Sequence, residues 1–254
     1  MFPLRDENPT ELVPFVTVLV IAANVLVWMI VQSAGAGEGF LASLCAYGSI
    51  PAELTGRVAP GTEVPLGPGH ACRAGGLTYS TVLTSMFLHG SWMHLIGNMW
   101  FLWVFGNNIE DSMGHARFVV FYLLCGALAA AAHVASSPGS AVPTVGASGA
   151  ISGIMGAYLV LYPKVRVHTM IFLGIFVRIV PMSAWAILLL WFGLQVLSGM
   201  LSSGAGGGVA FWAHAGGFMA GVALIKLFAK PVLAEAKRHG RVLSRSEMGR
   251  FGPW

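Results

Sequence analysis

Residues 209–228 read VAFWAHAGGFMAGVALIKLF. The run carries a single charge, Lys226, near its end. A helix of about 20 apolar residues crosses a hydrocarbon core of about 30 Å, so this is a membrane span. Two features inside it are unlike filler. Gly217 and Gly221 make a GxxxG face, which lets another helix approach closely. His214 lies just under one turn before Gly217 and points to that same side.

Working outward, five similar runs appear at residues 12–32, 81–105, 116–135, 145–162 and 182–201. Charged residues are only 9% of the chain and hydrophobic ones 56%. So few charges leave no material for a water-facing surface around a soluble core. The expectation is an all-α polytopic membrane protein, a bundle of six transmembrane helices filling residues 12–230. Residues 1–11 form a short tail before it and residues 231–254 a basic tail after it. Residues 33–79 are a long Gly- and Pro-rich first loop with short structure of its own, such as a helical turn at IPAELTG. The basic and apolar stretch at residues 164–181 reads as an interfacial connector or an extension of the fifth span.

Charge supports the count. With six spans and an inside N-terminus, 12 of the 14 Lys and Arg residues fall in inside segments, and only Arg57 and Arg73 fall outside. Both termini are then cytoplasmic, in the cell (inner) membrane. No nucleic-acid partner is implied by the net charge of +4. Cys125 lies in an apolar run and reads as packing. Cys45 and Cys72 share the first loop, either as a disulfide pair or as two unrelated thiols.

Polar groups inside spans are costly, so each is a functional suspect. His94 and Asn98 are four apart on one helix face. By themselves they serve equally well as interhelical glue. GASGAISG at residues 146–153 exposes Ser148 between small neighbours at a helix start, where free backbone N–H groups hold an anion. Alone it is more often a packing surface. Taken together, Ser148 has a base in His214 and oxyanion donors in Asn98, His94 and its own N–H. No Asp or Glu occurs at residues 113–233, and Glu110 and Asp111 lie at the far end of the second span. The arrangement is therefore a dyad without a triad acid. Aspartyl chemistry is excluded, and His89, His94, His115 and His133 lack ligand spacing for a metal site.

The ordered set His94-x-x-x-Asn98, Gly146-x-Ser148-Gly149 and His214 followed by Gly217 and Gly221 resembles the rhomboid family of intramembrane serine proteases. So do His89, Glu110 and the opening PLRDENP. The resemblance covers about residues 12–230. It implies Ser148 as nucleophile, His214 as general base, Asn98 and His94 as oxyanion donors, and His89 as a support of the first loop. It implies transmembrane proteins as substrates, cut at a small residue in a weakened helix, with the site opening to the extracytoplasmic side and no cofactor. Membrane lipid is the other partner, and no oligomeric state follows. Many members carry a Trp-Arg pair in the first loop, and this chain has none before its second span. A non-proteolytic member with a binding or chaperone role is the alternative. A small transporter is disfavoured, since neither repeated halves nor mid-span charges occur.

Overall fold

In the computed structural model, the chain is described over residues 2–67, 70–174, 176–201 and 210–230, and at Leu233. The basic tail at residues 231–254 and the Gly-rich loop at 202–208 fall outside these residues, apart from Leu233. Helices dominate, as the hydropathy pattern requires. Six of them form the bundle: α1 (Phe15–Leu26, prolonged by a π-turn to Val31), α5 (Trp92–Met113), α6 (His115–Ser136), α7 (Ser148–Leu161), α8 (Ala184–Leu201) and α9 (Phe211–Phe228). Of these, α6, α8 and α9 are both long and apolar enough to cross a membrane by length and composition alone.

Short elements sit at the two ends. The first loop holds α2 (Gly37–Tyr47), the turn α3 (Pro51–Leu54) and a hairpin of β2 (Glu63–Gly67) and β3 (His70–Arg73). A bond between Cys45 and Cys72 ties α2 to β3. At the opposite end, β1 (Phe2–Asp6), β4 (Arg166–Leu173) and β5 (Phe176–Ser183) form an antiparallel sheet in the order β1-β4-β5. The stretch read as an interfacial connector is therefore a β-hairpin. Its alternating Val, His, Met and Phe suit a pleated strand, and its backbone groups pair across the hairpin. The N-terminal tail closes the sheet's edge against β4.

The second span also starts later than hydropathy suggests. Residues 81–87 form α4 (Thr81–Thr84) and a 3-10 turn, and the chain then breaks. Ser91 restarts it, its Oγ accepting from the N–H of His94 at 3.1 Å as an N-cap. A hydropathy window cannot see a cap inside an apolar run. The new helix reaches Met113, so Glu110 and Asp111 lie within its last turn.

That position has a purpose. Helix α1 follows Pro14 and has no side-chain cap of its own. Glu110, fully buried, accepts from the N–H groups of Val16 and Thr17 at 2.8 Å and from the Thr17 hydroxyl. Asp111 accepts from the N–H groups of Glu11 and Leu12 at 2.9 Å. Glu110 thus satisfies two orphan donors of α1, and Asp111 those of the segment just ahead of it, where water is scarce.

The tightest packing joins α7 to α9. A Cβ on Gly221 would overlap the carbonyl oxygen of Gly153, and one on Gly217 that of Gly149. Gly156 lies equally close to the Phe218 carbonyl. Backbone meets backbone along this seam, which only glycine permits. Gly221→Val should lower the thermal stability of the detergent-solubilised protein by at least about 2 kcal/mol, the cost of overpacking a close contact. Gly193→Ala, on the open side of α8 with nothing within 4 Å of the added carbon, should leave it unchanged. Thermal melts followed by circular dichroism compare the two.

Candidate active site

Chain direction alternates from span to span. The start of α7, the starts of α5 and α9, and the ends of α6 and α8 therefore share one face with the first loop. Helix α7 has 14 residues. At 1.5 Å per residue it covers about 21 Å of a core about 30 Å thick. Its first residue, Ser148, therefore sits below the level of the surrounding helix ends. A cavity of about 760 Å³ leads to it from that face.

The glycine seam brings α9 against α7 at this depth. Ser148 Oγ lies 2.7 Å from Nε2 of His214. The other ring nitrogen, Nδ1, lies 2.8 Å from Oε1 of Gln195 on α8. Trp191, one turn earlier on α8, packs its ring 5.8 Å from the imidazole. Neither Gln195 nor Trp191 was legible in the sequence, because a lone Gln or Trp in an apolar helix carries no spacing signal. Ser152, the other serine of the motif, donates its hydroxyl to the Ser148 carbonyl at 2.6 Å. Its oxygen is engaged in its own helix, which separates the two serines.

Asn98 and His94 line the same cavity from α5. The Asn98 side-chain nitrogen is buried and has no hydrogen-bond partner. Its N–H groups are donors left free of the protein at the cavity wall, open to an acceptor that enters there. His94 Nδ1 accepts from the Gly90 N–H at 3.3 Å, and the Nε2 edge of the ring faces Gly146. A Cβ on Gly146 would lie 2.8 Å from that nitrogen, and its φ of 132° also excludes other residues. Gly146 donates its N–H to Ser85 at 2.9 Å, which fixes the loop ahead of Ser148. Gly149 faces Ala129 of α6 with no room for a side chain.

His89 stands behind this group. It is fully buried, and its ring packs 5.1 Å from that of His94. Its backbone N–H and carbonyl pair with the Gln32 amide at the end of the first span, at 2.7 and 2.8 Å. Gln32 therefore joins α1 to the break before α5, a link with no sequence signature. His133 of α6 also lines the cavity, and its Nδ1 is buried without a partner. Among the described residues no three His, Cys, Asp or Glu side chains are placed to hold a metal ion. Gly146→Ala should abolish labelling of the protein by a fluorophosphonate while leaving its elution profile monodisperse. Labelling at the wild-type rate would show that the space beside His94 is not needed.

Comparison with known proteins places this site in context. A family model described as the rhomboid domain matches residues 77–231, more than half of the chain. Presenilin-associated rhomboid-like protein, mitochondrial, of Mus musculus is 35% identical over 99 residues, 38% of this chain and 26% of that protein. Rhomboid protein 1, mitochondrial, of Saccharomyces cerevisiae is 29% identical over 174 residues, 65% of this chain and 46% of that protein. Rhomboid protease GluP of Bacillus subtilis is 34% identical over 145 residues, 56% of this chain and 25% of that protein. The chain thus spans less than half the length of these relatives.

Proposed function

The chain belongs to the rhomboid family, and on that premise we propose that it is a serine endopeptidase. It cuts peptide bonds in or beside the transmembrane segments of other membrane proteins. The observation that carries this reading is the 2.7 Å contact between Ser148 Oγ and His214 Nε2 at the base of a water-accessible cavity.

The chemistry follows from the positions. His214 Nε2 takes the hydroxyl proton as Ser148 Oγ attacks the carbonyl carbon of the scissile bond. The resulting oxyanion meets the Asn98 amide, the His94 ring and the N–H groups at the start of α7, which have no intrahelical acceptors. His214 then gives its proton to the leaving amine, and the C–N bond breaks. Water enters from the cavity mouth, loses a proton to His214 and attacks the acyl-enzyme. The proton returns to Ser148 as the second product leaves. The place of Asn98 on the cavity wall, with an amide N–H not used by the protein, supports its role. His89 supports the site through its contact with His94 and its clasp on Gln32.

A transmembrane helix must unwind to present a carbonyl here, since its own hydrogen bonds shield the backbone. Substrates with a weakened helix and a small residue at the cut fit that need. Helix α8 borders the cavity through Trp191 and Gln195 and exposes Leu190, Leu194 and Leu197 along its outer side. It forms the natural lateral entrance. The membrane protein domain is residues 12–230, with residues 1–11 and the basic segment 231–254 on the cytoplasmic side. The Cys45–Cys72 bond lies on the same face as the cavity, which supports an oxidising, extracytoplasmic side. Among the described residues, Arg5, Arg166 and Lys230 at the other face support the same orientation in a cell (inner) membrane.

In proteoliposomes carrying a fluorescent transmembrane substrate, Ser148→Ala and His214→Ala should each abolish cleavage. Asn98→Ala should lower kcat on the order of 10²-fold, the worth of one oxyanion donor. Cleavage retained by Ser148→Ala would remove the proposed mechanism.

A further inference from the structure

A histidine can serve as base only if its proton sits on the nitrogen facing away from the nucleophile. Serine hydrolases usually secure this with a carboxylate beyond the imidazole. This chain has no Asp or Glu at residues 113–233. The atom occupying that place is Oε1 of Gln195, 2.8 Å from His214 Nδ1. An amide oxygen only accepts hydrogen bonds. Beside that oxygen the tautomer with Nδ1 protonated is the one that makes a hydrogen bond, and it leaves the Nε2 lone pair directed at Ser148 Oγ.

The surroundings show why a glutamine stands here. Leu194, Leu197 and Leu201 on α8 are exposed, as a lipid-facing surface requires. An amide among them is costly unless it is bonded. Trp191 and Gln195 lie four apart and so share one helix face. The first packs beside the imidazole ring and the second bonds its edge. One face of α8 thus fixes both the plane and the tautomer of a side chain carried by α9. The other titratable groups near the ring, His94 of α5 and His133 of α6, bring no acceptor charge.

We propose that Gln195 is a positioning residue that holds His214 in the tautomer with Nδ1 protonated, so that the dyad is completed by a neutral third member supplied from α8. The inference rests on the protease reading of Ser148 and His214. It has a mechanical consequence, because the bond crosses from α8 to α9. A displacement of α8 that separates Gln195 from His214 releases the imidazole. The base is therefore set only when α8 is seated against α9.

The test compares wild type, Gln195→Leu and Gln195→Glu in proteoliposomes. Cleavage of a transmembrane substrate and the rate of fluorophosphonate labelling are both measured, with thermal melts as a check on folding. Leucine keeps the helix and the apolar volume. Gln195→Leu should lose kcat on the order of 10²-fold, within the range a general base is worth, with KM unchanged and labelling slowed in parallel. Gln195→Glu, which can only accept at this place, should restore most of both rates. Wild-type rates in Gln195→Leu would overturn the proposal. So would an equal loss in Gln195→Glu, or a raised KM at unchanged kcat, which would mark Gln195 as packing for the entrance alone. A wild type that neither cleaves nor labels would overturn the protease reading itself, and this inference with it.

Discussion

Everything at the site depends on how closely α7 and α9 approach. Gly149, Gly153 and Gly156 on one helix meet Gly217, Gly221 and the Phe218 backbone on the other with no side chain between. Inside a membrane no hydrophobic driving force brings helices together, so close van der Waals contact carries the association. The seam also sets a distance. Two helices in such contact, one beginning with Ser148 and the other bearing His214 one turn from its start, bring hydroxyl and imidazole within hydrogen-bond reach. The packing that stabilises the bundle and the geometry that pairs the serine with the imidazole are the same contact.

The low dielectric explains the rest of the arrangement. Helix α1 has no side-chain cap of its own, and Glu110 of α5 supplies one, while Asp111 binds the segment leading into it. Asp6 accepts from Asn108 and from the Tyr158 hydroxyl, which pins the first strand to α5 and α7. These charges and amides collect at the end opposite Ser148. At the site end the groups are neutral or weakly polar: Ser148, His214, Gln195, Asn98 and His94. A short α7 sinks the serine below the level of its neighbours, and a cavity opens above it. The bundle thus separates a charged end from a polar one that holds Ser148 and His214.

How much of this was legible in the sequence follows from which signals have a period. The six apolar runs, the four-residue spacing of His94 and Asn98, and the glycine pair after His214 fall at helical intervals, and the apolar runs made the helical membrane bundle legible. The strands at residues 166–183 were missed because a short alternating run that mixes apolar and basic residues also resembles an interfacial helix. The break before α5 was missed because Ser91 ends one apolar element and caps the next without changing hydropathy. The pairing of Cys45 with Cys72 has no signal in their spacing, because it depends on α2 lying against β3. Gln195 and Gln32 have no period at all. Their roles exist only in the partners the fold gives them, His214 and His89. Glu110 and Asp111 carry no spacing that marks them as partners of the first span, and their bonds to the start of α1 and the segment ahead of it exist only through the packing of two spans.

The most direct measurement of the central claim is the mapping of a fluorophosphonate adduct by peptide mass spectrometry on the full-length protein in liposomes. Serines 148 and 152 lie one turn apart on α7, but only the first is bonded to an imidazole. The account predicts a single adduct on Ser148 in the wild type and none in His214→Ala. An adduct on Ser152, or one on Ser148 that forms at the same rate without His214, would contradict it.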